Sequence, residues 1–244
     1  MITSTALQPT IEANGLAFDD IVRNTGLGAM PADARFCPDR YVGRIGHFGD
    51  QKDWNFIASS SQERDPALPV ILLVMESPHK DEFSSKLWYT PWPANGPTGR
   101  QIRRHAHLLV PSDWVKDSAQ LKLLNAVPYQ CSLGSTPSKY RDSVFRAAWA
   151  AGGAAFFQER LLLSYRPGDL VVNACTKGRS GRPLREDVES AIAAVLPGAR
   201  RLRLAHPFSW MTAEKTTVSW AVPEPTPQRT PGPVLASPQG GEPR

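Results

Sequence analysis

Short apolar runs alternate with longer helical stretches through the middle of the chain. Short, mostly apolar runs lie at residues 68–74, 121–127, 169–174 and 202–205. Helices are expected between them at 98–109, 139–165 and 185–196, with a weak point at Gly152-Gly153. In the last of these, apolar residues recur at helical spacing, which indicates one buried face. When helices cover both faces of a parallel sheet, its strands have short apolar sequences of this kind. The pattern therefore predicts an α/β fold, a three-layer α/β/α sandwich around a central, mainly parallel sheet of four strands.

The two ends of the chain differ from this middle part. Residues 1–67 mix glycine, proline and single aromatic residues, and only 18–22 is a helix candidate, so we interpret them as an irregular N-terminal extension packed on the domain. Residues 222–244 are rich in proline and poor in large apolar side chains, which predicts a disordered tail. The domain itself is expected at 68–221.

Length and charge narrow the class of protein. A chain of 244 residues fits one α/β domain with appendages. Its net charge of +5 and pI near 9.3 favour a polyanionic partner such as DNA. Its three cysteines lack metal-ligand spacing and are expected to be free thiols in a reducing compartment, so no metal or cofactor is predicted. No membrane-length apolar run or signal-peptide pattern is seen, which predicts a cytoplasmic protein without membrane contact. We expect it to be a monomer.

Polar or conformationally special residues follow every predicted strand. In an open parallel sheet the carboxyl ends of the strands converge, and ligands bind there. The segments that follow the strands are Met75-Glu76-Ser77-Pro78-His79, Asn125-Ala126-Val127-Pro128-Tyr129, Cys175-Thr176-Lys177-Gly178 and His206-Pro207-Phe208-Ser209-Trp210. A ligand site is therefore expected at this edge of the sheet.

Three of these strand-and-loop segments resemble motifs of the uracil-DNA glycosylase superfamily. VILLVMESPHKDEF is similar to the family's first strand and water-binding loop of the Gly-Glu-Ala-Pro type, although the iron-sulfur cysteines of that branch are missing. LKLLNAVPY is similar to the strand that carries a base-reading asparagine, and RLRLAHPFSW to the strand and loop that end in His-Pro-Ser. The resemblance implies a DNA glycosylase that flips a base out of DNA, hydrolyses its N-glycosidic bond and leaves an abasic site.

The resemblance implies a role for one residue of each motif. His206 would donate a hydrogen bond to the pyrimidine carbonyl as negative charge develops on it. Asn125 would read the Watson–Crick edge of the base, and Glu76 would orient water or stabilise the sugar cation. The alternatives are a structural His-Pro turn, an asparagine that ties down a turn and a surface glutamate without a function.

The expected base pocket departs from the family pattern at two positions. The resemblance assigns the pocket to Ser77, Pro78 and His79 and a stacking ring to Trp88 or Tyr89. Ser77 stands where the best-known branch has a water-activating aspartate, and His79 stands where an aromatic ring blocks the methyl group of thymine. Two substrate classes therefore stay open: uracil, with a role in base-excision repair, or a bulkier modified pyrimidine, with a role in defence against phage.

DNA contacts are predicted on a helix and two loops. Gly99 opens a helix that carries Arg100 and Arg103 at helical spacing, which suits phosphate binding, although a solvated charged face gives the same pattern. Lys177 lies in a glycine-rich basic loop. After His206, relatives insert an apolar wedge into the duplex, and this chain has Ser209, Trp210 and Met211 there.

Two other functions compete with this hypothesis. The chain would be a non-catalytic nucleic-acid-binding protein if it kept the glycosylase-like fold without the reaction. It would be a small-molecule nucleoside hydrolase if neither the wedge nor the basic helix were used.

Overall fold

The computed structural model describes residues 16–28, 35–46, 63–83, 91–114, 118–134, 137–179 and 181–210. Its helices are α1 (Phe18–Asn24), α2 (Pro97–His105), α3 (Pro137–Ala148), α4 (Ala154–Ser164) and α5 (Leu184–Val195). Its strands are β1 (Arg40–Gly46), β2 (Val70–Met75), β3 (Ser118–Asn125), β4 (Leu170–Asn173) and β5 (Arg200–Arg203). Short 3₁₀ turns lie at Lys80–Glu82, Ala106–Leu109 and Pro207–Ser209. None of the helices in these ranges has the length and apolar character needed to cross a membrane.

The fold is mixed α/β, with one five-stranded sheet in the order β1-β3-β2-β4-β5. The strands β3, β2, β4 and β5 are parallel to one another and overlap the four predicted runs, although β5 shares only residues 202 and 203 with its run. The fifth strand, β1, pairs antiparallel with β3 and comes from the stretch interpreted as irregular. The expected strand number of four was therefore too low. The sequence of β1 lacks a clean apolar pattern because the strand itself contains Arg40 and Arg44 and its pairing is irregular between Tyr41 and Gly43.

The strand β2 is buried on both faces and contributes side chains to two separate apolar clusters. Its residues Val70, Leu72 and Val74 pack in one cluster with side chains of α1, α3, α4 and α5. Its alternate residues, Ile71, Leu73 and Met75, pack in the other cluster with side chains that include Ile102 of α2. Because successive side chains of a strand point to opposite faces, α2 and α1 lie on opposite sides of the sheet.

The long helical stretch at 139–165 is interrupted where the glycine pair predicted a weak point. One turn of π-helix, Trp149–Gly153, separates α3 from α4. Gly152 has a φ of 108°, a backbone conformation that glycine adopts without a steric penalty. The break lets α4 change direction, and its buried Arg160 contacts the carboxyl end of β3.

Candidate functional site

The register of the sheet places the loops after β2, β3, β4 and β5 along one edge. Met75 pairs with Asn125 across β2 and β3, and the hydrogen bond from Ala126 N to Met75 O (2.7 Å) continues the pairing into the loops. On the other side of β2, Ala174 N donates to Val74 O (2.9 Å). The loops that carry the predicted motifs therefore begin side by side.

Glu76 lies where three of these segments meet. Its Oε2 accepts a hydrogen bond from Thr176 N in the loop after β4 (3.2 Å) and lies 3.5 Å from His206 Nε2 in the loop after β5. Its Oε1 is 3.8 Å from Arg141 Nη1 of α3. Glu76 is only 5% exposed, so the interpretation as a surface glutamate does not hold. A buried carboxylate with cationic and N–H partners is suited to interacting with charge that develops in a reaction.

His206 is held in one orientation by the turn that follows it. Its Nδ1 accepts a hydrogen bond from Phe208 N (3.2 Å), and its carbonyl oxygen accepts hydrogen bonds from Ser209 N (2.9 Å) and Ser209 Oγ (2.7 Å). A backbone N–H can only donate, so the neutral ring carries its proton on Nε2. The imidazole therefore presents an N–H donor next to the carboxylate of Glu76, and the side chain keeps 25% of its surface exposed.

Asn125 is buried at the end of β3, and only the nitrogen of its side-chain amide has a hydrogen-bond partner among the described residues. Its Nδ2 lies 3.8 Å from Cys37 Sγ, and its Oδ1 has no hydrogen-bond partner among the described residues although Asn125 is only 1% exposed. An unsatisfied buried polar atom costs about 1–3 kcal/mol, so a ligand that donates to Oδ1 would gain this energy. The side chain makes no hydrogen bond to a turn in the described part of the chain, which argues against a purely local role.

The residues expected to line the base pocket differ in their surroundings. Pro78 is buried, and Ser77 hydrogen-bonds the thiol of Cys131, a residue of the loop after β3. His79 is partly exposed, and its Nδ1 accepts a hydrogen bond from Asp81 N (3.3 Å), which caps the 3₁₀ turn Lys80–Glu82. Trp88, Tyr89 and Met211 lie outside the described residues.

The basic helix α2 lies next to the His206 loop, because α2 packs against the turn Pro207–Ser209. Arg100 is exposed and Arg103 is partly buried, and desolvation together with the charge of Arg100 lowers the pKa of Arg103. Lys177 is exposed in the loop after β4. Gly99 has a packing role, because a Cβ at this position would lie 1.7 Å from Ala94 O. The structure therefore places the basic side chains near the site. It explains Gly99 by packing and gives no reason to assign it a DNA contact.

Trp210 does not occupy the wedge position predicted for it. It is 1% exposed, and its Nε1 donates to Ala205 O (2.9 Å), so its ring anchors the loop to the core. Burial is favoured because the ring packs in the apolar cluster while the indole N–H is satisfied within the loop. Ser209 is exposed, and Phe208, at 55% exposure, is the large apolar side chain of this turn that faces solvent.

An N-terminal segment that the motifs do not include, residues 35–39, crosses this edge of the sheet. Arg35 Nη2 donates to Phe83 O (3.0 Å), and Cys37 N donates to Pro128 O (2.8 Å). Asp39 accepts a hydrogen bond from Arg160 Nη1 (2.6 Å), and Arg160 Nη2 also binds the backbone carbonyl of Asn125 (2.7 Å). The segment therefore forms part of the wall behind Asn125.

Glu82 is a second buried carboxyl group near this wall. Its Oε2 lies 3.9 Å from Cys37 Sγ. Burial raises the pKa of Glu82 from 4.5 to about 8, hydrogen bonds from the backbone of His79 and Ala94 oppose this shift, and the charges of Glu76 and Asp81 add to it. Burial and the nearby Glu82 also raise the pKa of the Cys37 thiol. At neutral pH both groups therefore hold their protons.

No family model matches this chain, and no curated protein or solved structure does either. The function is therefore inferred from the geometry of the strand-end loops and from the motifs in the sequence.

Replacing Glu82 with glutamine is expected to remove a pH dependence of stability. The folded-state pKa of about 8 lies above the value of 4.5 expected for an exposed glutamate, so the folded protein retains a proton that the unfolded chain releases between these values. The parent should lose stability as pH rises from about 5 to about 8, with a slope of at most about 1.4 kcal/mol per unit. Thermal unfolding across this range should show the loss in the parent and in the control Glu159→Gln, whose side chain is exposed, but not in Glu82→Gln. If the unfolding temperature depended on pH in the same way in all three proteins, the raised pKa of Glu82 would be contradicted.

Proposed function

We propose that this protein is a DNA glycosylase that hydrolyses the N-glycosidic bond of a flipped-out uracil or modified pyrimidine and leaves an abasic site. The observation that carries the proposal is the approach of His206 Nε2 to Glu76 Oε2 (3.5 Å), at the edge where Asn125 is buried with an unpartnered Oδ1. These three residues occupy the corresponding positions of three motifs that resemble those of the uracil-DNA glycosylase superfamily. The helices that pack on both faces of β2 fit the three-layer sandwich of that family.

The orientation of His206 suits the departure of a base. When the bond between C1′ of the sugar and N1 of the pyrimidine breaks, both electrons stay with the base and negative charge develops on its carbonyl oxygen. The Nε2–H of His206 donates to this oxygen, and a donor that is already oriented stabilises the charge without reorganising. The backbone N–H of Phe208 holds the ring in this orientation.

Glu76 acts on the sugar side of the broken bond. Its carboxylate stabilises the positive charge at C1′ and orients the attacking water. The water oxygen bonds to C1′, its proton passes to the carboxylate, and the base anion takes up a proton from solvent. Thr176 N and Arg141 hold the carboxylate in place, which compensates for serine at position 77 instead of a water-activating aspartate.

Asn125 reads the edge of the extruded base. Its unpartnered Oδ1 accepts from an N–H donor, which uracil offers at N3 and cytosine derivatives offer at their 4-amino group. His79, partly exposed at the pocket segment, replaces the aromatic ring that excludes a substituent at pyrimidine C5 in relatives. Both uracil and a modified cytosine are therefore proposed substrates, with repair and phage defence as the corresponding roles.

DNA binds across α2 and the His206 loop. The exposed side chains of Arg100 and Lys177 supply positive charge on this side, and the phosphate backbone supplies the matching negative charge. Phe208 takes the wedge role first assigned to Trp210, since an exposed apolar ring next to the catalytic histidine can fill the gap that the extruded nucleotide leaves.

Removing the charge of Arg100 is expected to change the salt dependence of DNA binding. A side chain that neutralises one phosphate contributes about 0.9 to the slope of log K against log salt concentration. Arg100→Gln and Arg103→Gln should each reduce the slope by about one. Arg23→Gln is the control, because Arg23 is exposed on α1 at the opposite face of the sheet. Equal slopes for the parent and the α2 variants would place the DNA elsewhere.

Incubation with a panel of duplexes tests the proposal against its alternatives. Each duplex carries one uracil, 5-hydroxymethylcytosine or glucosylated 5-hydroxymethylcytosine, and alkali converts an abasic site into a strand break. Breaks at the marked position support a glycosylase. Binding without breaks would indicate a non-catalytic DNA-binding protein, and cleavage of free nucleosides alone would indicate a nucleoside hydrolase.

A further inference from the structure

Three buried side chains from three separate segments form a chain of contacts behind the candidate base pocket. Asn125 Nδ2 at the end of β3 lies 3.8 Å from Cys37 Sγ, and Cys37 Sγ lies 3.9 Å from Glu82 Oε2. All three residues are almost completely buried, and both distances fit hydrogen bonds to sulfur. None of the proposed catalytic steps uses Cys37 or Glu82.

The donor and acceptor roles in these two hydrogen bonds fix the orientation of the Asn125 side-chain amide. The thiol of Cys37 donates to Glu82 Oε2, which leaves the sulfur lone pairs to accept from Asn125 Nδ2. The N–H₂ end of the amide therefore faces Cys37, and Oδ1 stays without a partner among the described residues. An amide that could turn by half a rotation would offer either a donor or an acceptor to a base, whereas this amide offers the acceptor.

The backbone around Cys37 keeps the sulfur in place. Its N–H donates to Pro128 O (2.8 Å), in the same loop that follows Asn125. Two residues later, Asp39 is bonded to Arg160, which also binds the carbonyl oxygens of Asn125 and Ala126. Glu82 is held from the other side, because its carboxyl accepts hydrogen bonds from the backbone of His79 and Ala94. The position of the sulfur is thus coupled to the strand end that carries the amide.

We propose that Cys37 and Glu82 are positioning residues that lock the amide of Asn125 and thereby set which pyrimidine edge the enzyme accepts. This role rests on the proposed glycosylase function. Uracil offers an N–H donor at position 3 and a cytosine derivative offers one at its 4-amino group, so an acceptor locked in one place matches one of the two bases better than the other. A free amide adapts to both edges and loses the distinction.

The first test compares the release of uracil and of 5-hydroxymethylcytosine from otherwise identical duplexes. The ratio of the two kcat/KM values should lie about tenfold closer to one in Cys37→Ala than in the parent, because one matched hydrogen bond to a fixed acceptor gives discrimination of about this size. Glu82→Leu, which keeps the size of the side chain but removes the acceptor of the Cys37 thiol, should change the ratio in the same direction. Cys175→Ala is the control: its thiol is equally buried but donates to Val74 O, so its loss should leave the ratio unchanged.

The second test needs no substrate. In ¹⁵N-labelled protein, the side-chain N–H₂ protons of Asn125 should exchange with solvent about tenfold faster or more in Cys37→Ala and Glu82→Leu than in the parent, relative to the backbone amides of β3. Cys175→Ala should match the parent. The β3 amides report unfolding, so a merely destabilised variant is recognised.

The outcomes separate this proposal from the glycosylase assignment. If the parent releases a base and both variants keep its selectivity and its Asn125 exchange rate, the positioning role is overturned and the glycosylase assignment stands. If the parent releases no base from any duplex, the glycosylase assignment and the selectivity role fall together, and the exchange rates alone decide whether Cys37 and Glu82 hold the amide.

Discussion

Replacing His206 with alanine is expected to lower the rate of base release by about 10²–10³-fold, the usual loss when one donor to a developing oxyanion is removed. The Nε2–H of His206 is the donor that lies next to the buried Glu76, and Nδ1 is already used by Phe208 N. The side chain is partly exposed, so thermal unfolding and DNA binding should stay close to the parent values. Single-turnover release of the base measures the effect without interference from product dissociation.

His206→Asn is the matched variant for this prediction. The asparagine carbonyl oxygen can accept from Phe208 N and preserve the turn, but the shorter side chain does not reach the position of Nε2. The two variants should therefore lose activity to a similar extent. If His206→Asn releases base at the parent rate while His206→Ala does not, His206 shapes the loop and is not the donor.

Replacing Asn125 with aspartate is expected to reduce uracil release by about 10²-fold or more, because a site built to hydrogen-bond a substrate rejects it strongly when the matching group is lost. A carboxyl group has no N–H₂ donor, and at this fully buried position it would lie close to Cys37 and, through it, to Glu82. Burial favours the neutral acid, whose proton can lie on either oxygen, so the acceptor is no longer fixed toward the base and the base can meet an O–H donor instead. The relative release of uracil and 5-hydroxymethylcytosine should change together with the rate.

A loss of stability accompanies this substitution, and Asn173→Asp controls for it. Asn173 is equally buried at the end of β4, and its Nδ2 binds Arg185 O (2.8 Å) and Glu189 Oε2 (3.0 Å), away from the proposed base pocket. Both aspartate variants should unfold at lower temperature than the parent, since each buries a carboxyl group. Only Asn125→Asp should change the ratio of released bases. An unchanged ratio would remove Asn125 from base reading.

The convergence of Glu76, Asn125 and His206 was predictable because it follows from the parallel sheet. Each residue lies at or shortly after the carboxyl end of its strand, and the carboxyl ends of parallel strands meet at one edge. The pairing of Met75 with Asn125 shows that the ends of β2 and β3 lie level with each other in the sheet. Burial of Glu76 was not predictable from its position, because it results from contacts with Thr176 and Arg141 in distant segments.

The wall behind Asn125 was missed because its residues lie in segments without a hydrophobic period. Cys37 belongs to an extended segment and Glu82 to a 3₁₀ turn, and neither kind of element repeats often enough to predict which side chains are buried. The strand β1 was missed for a related reason, since its pairing is irregular after Tyr41. In the loop after β5, the sequence placed two aromatic rings near His206, but only the tertiary contacts show that Trp210 is buried and Phe208 exposed.

The most direct test of the glycosylase assignment is detection of the free base itself. A duplex with one uracil or one modified cytosine is incubated with the parent protein or with His206→Ala, and mass spectrometry quantifies the released base and the abasic strand. The parent should produce both in equal amounts, and His206→Ala should produce them about 10²–10³-fold more slowly. A parent protein that binds these duplexes but releases no base from any of them would contradict the assignment.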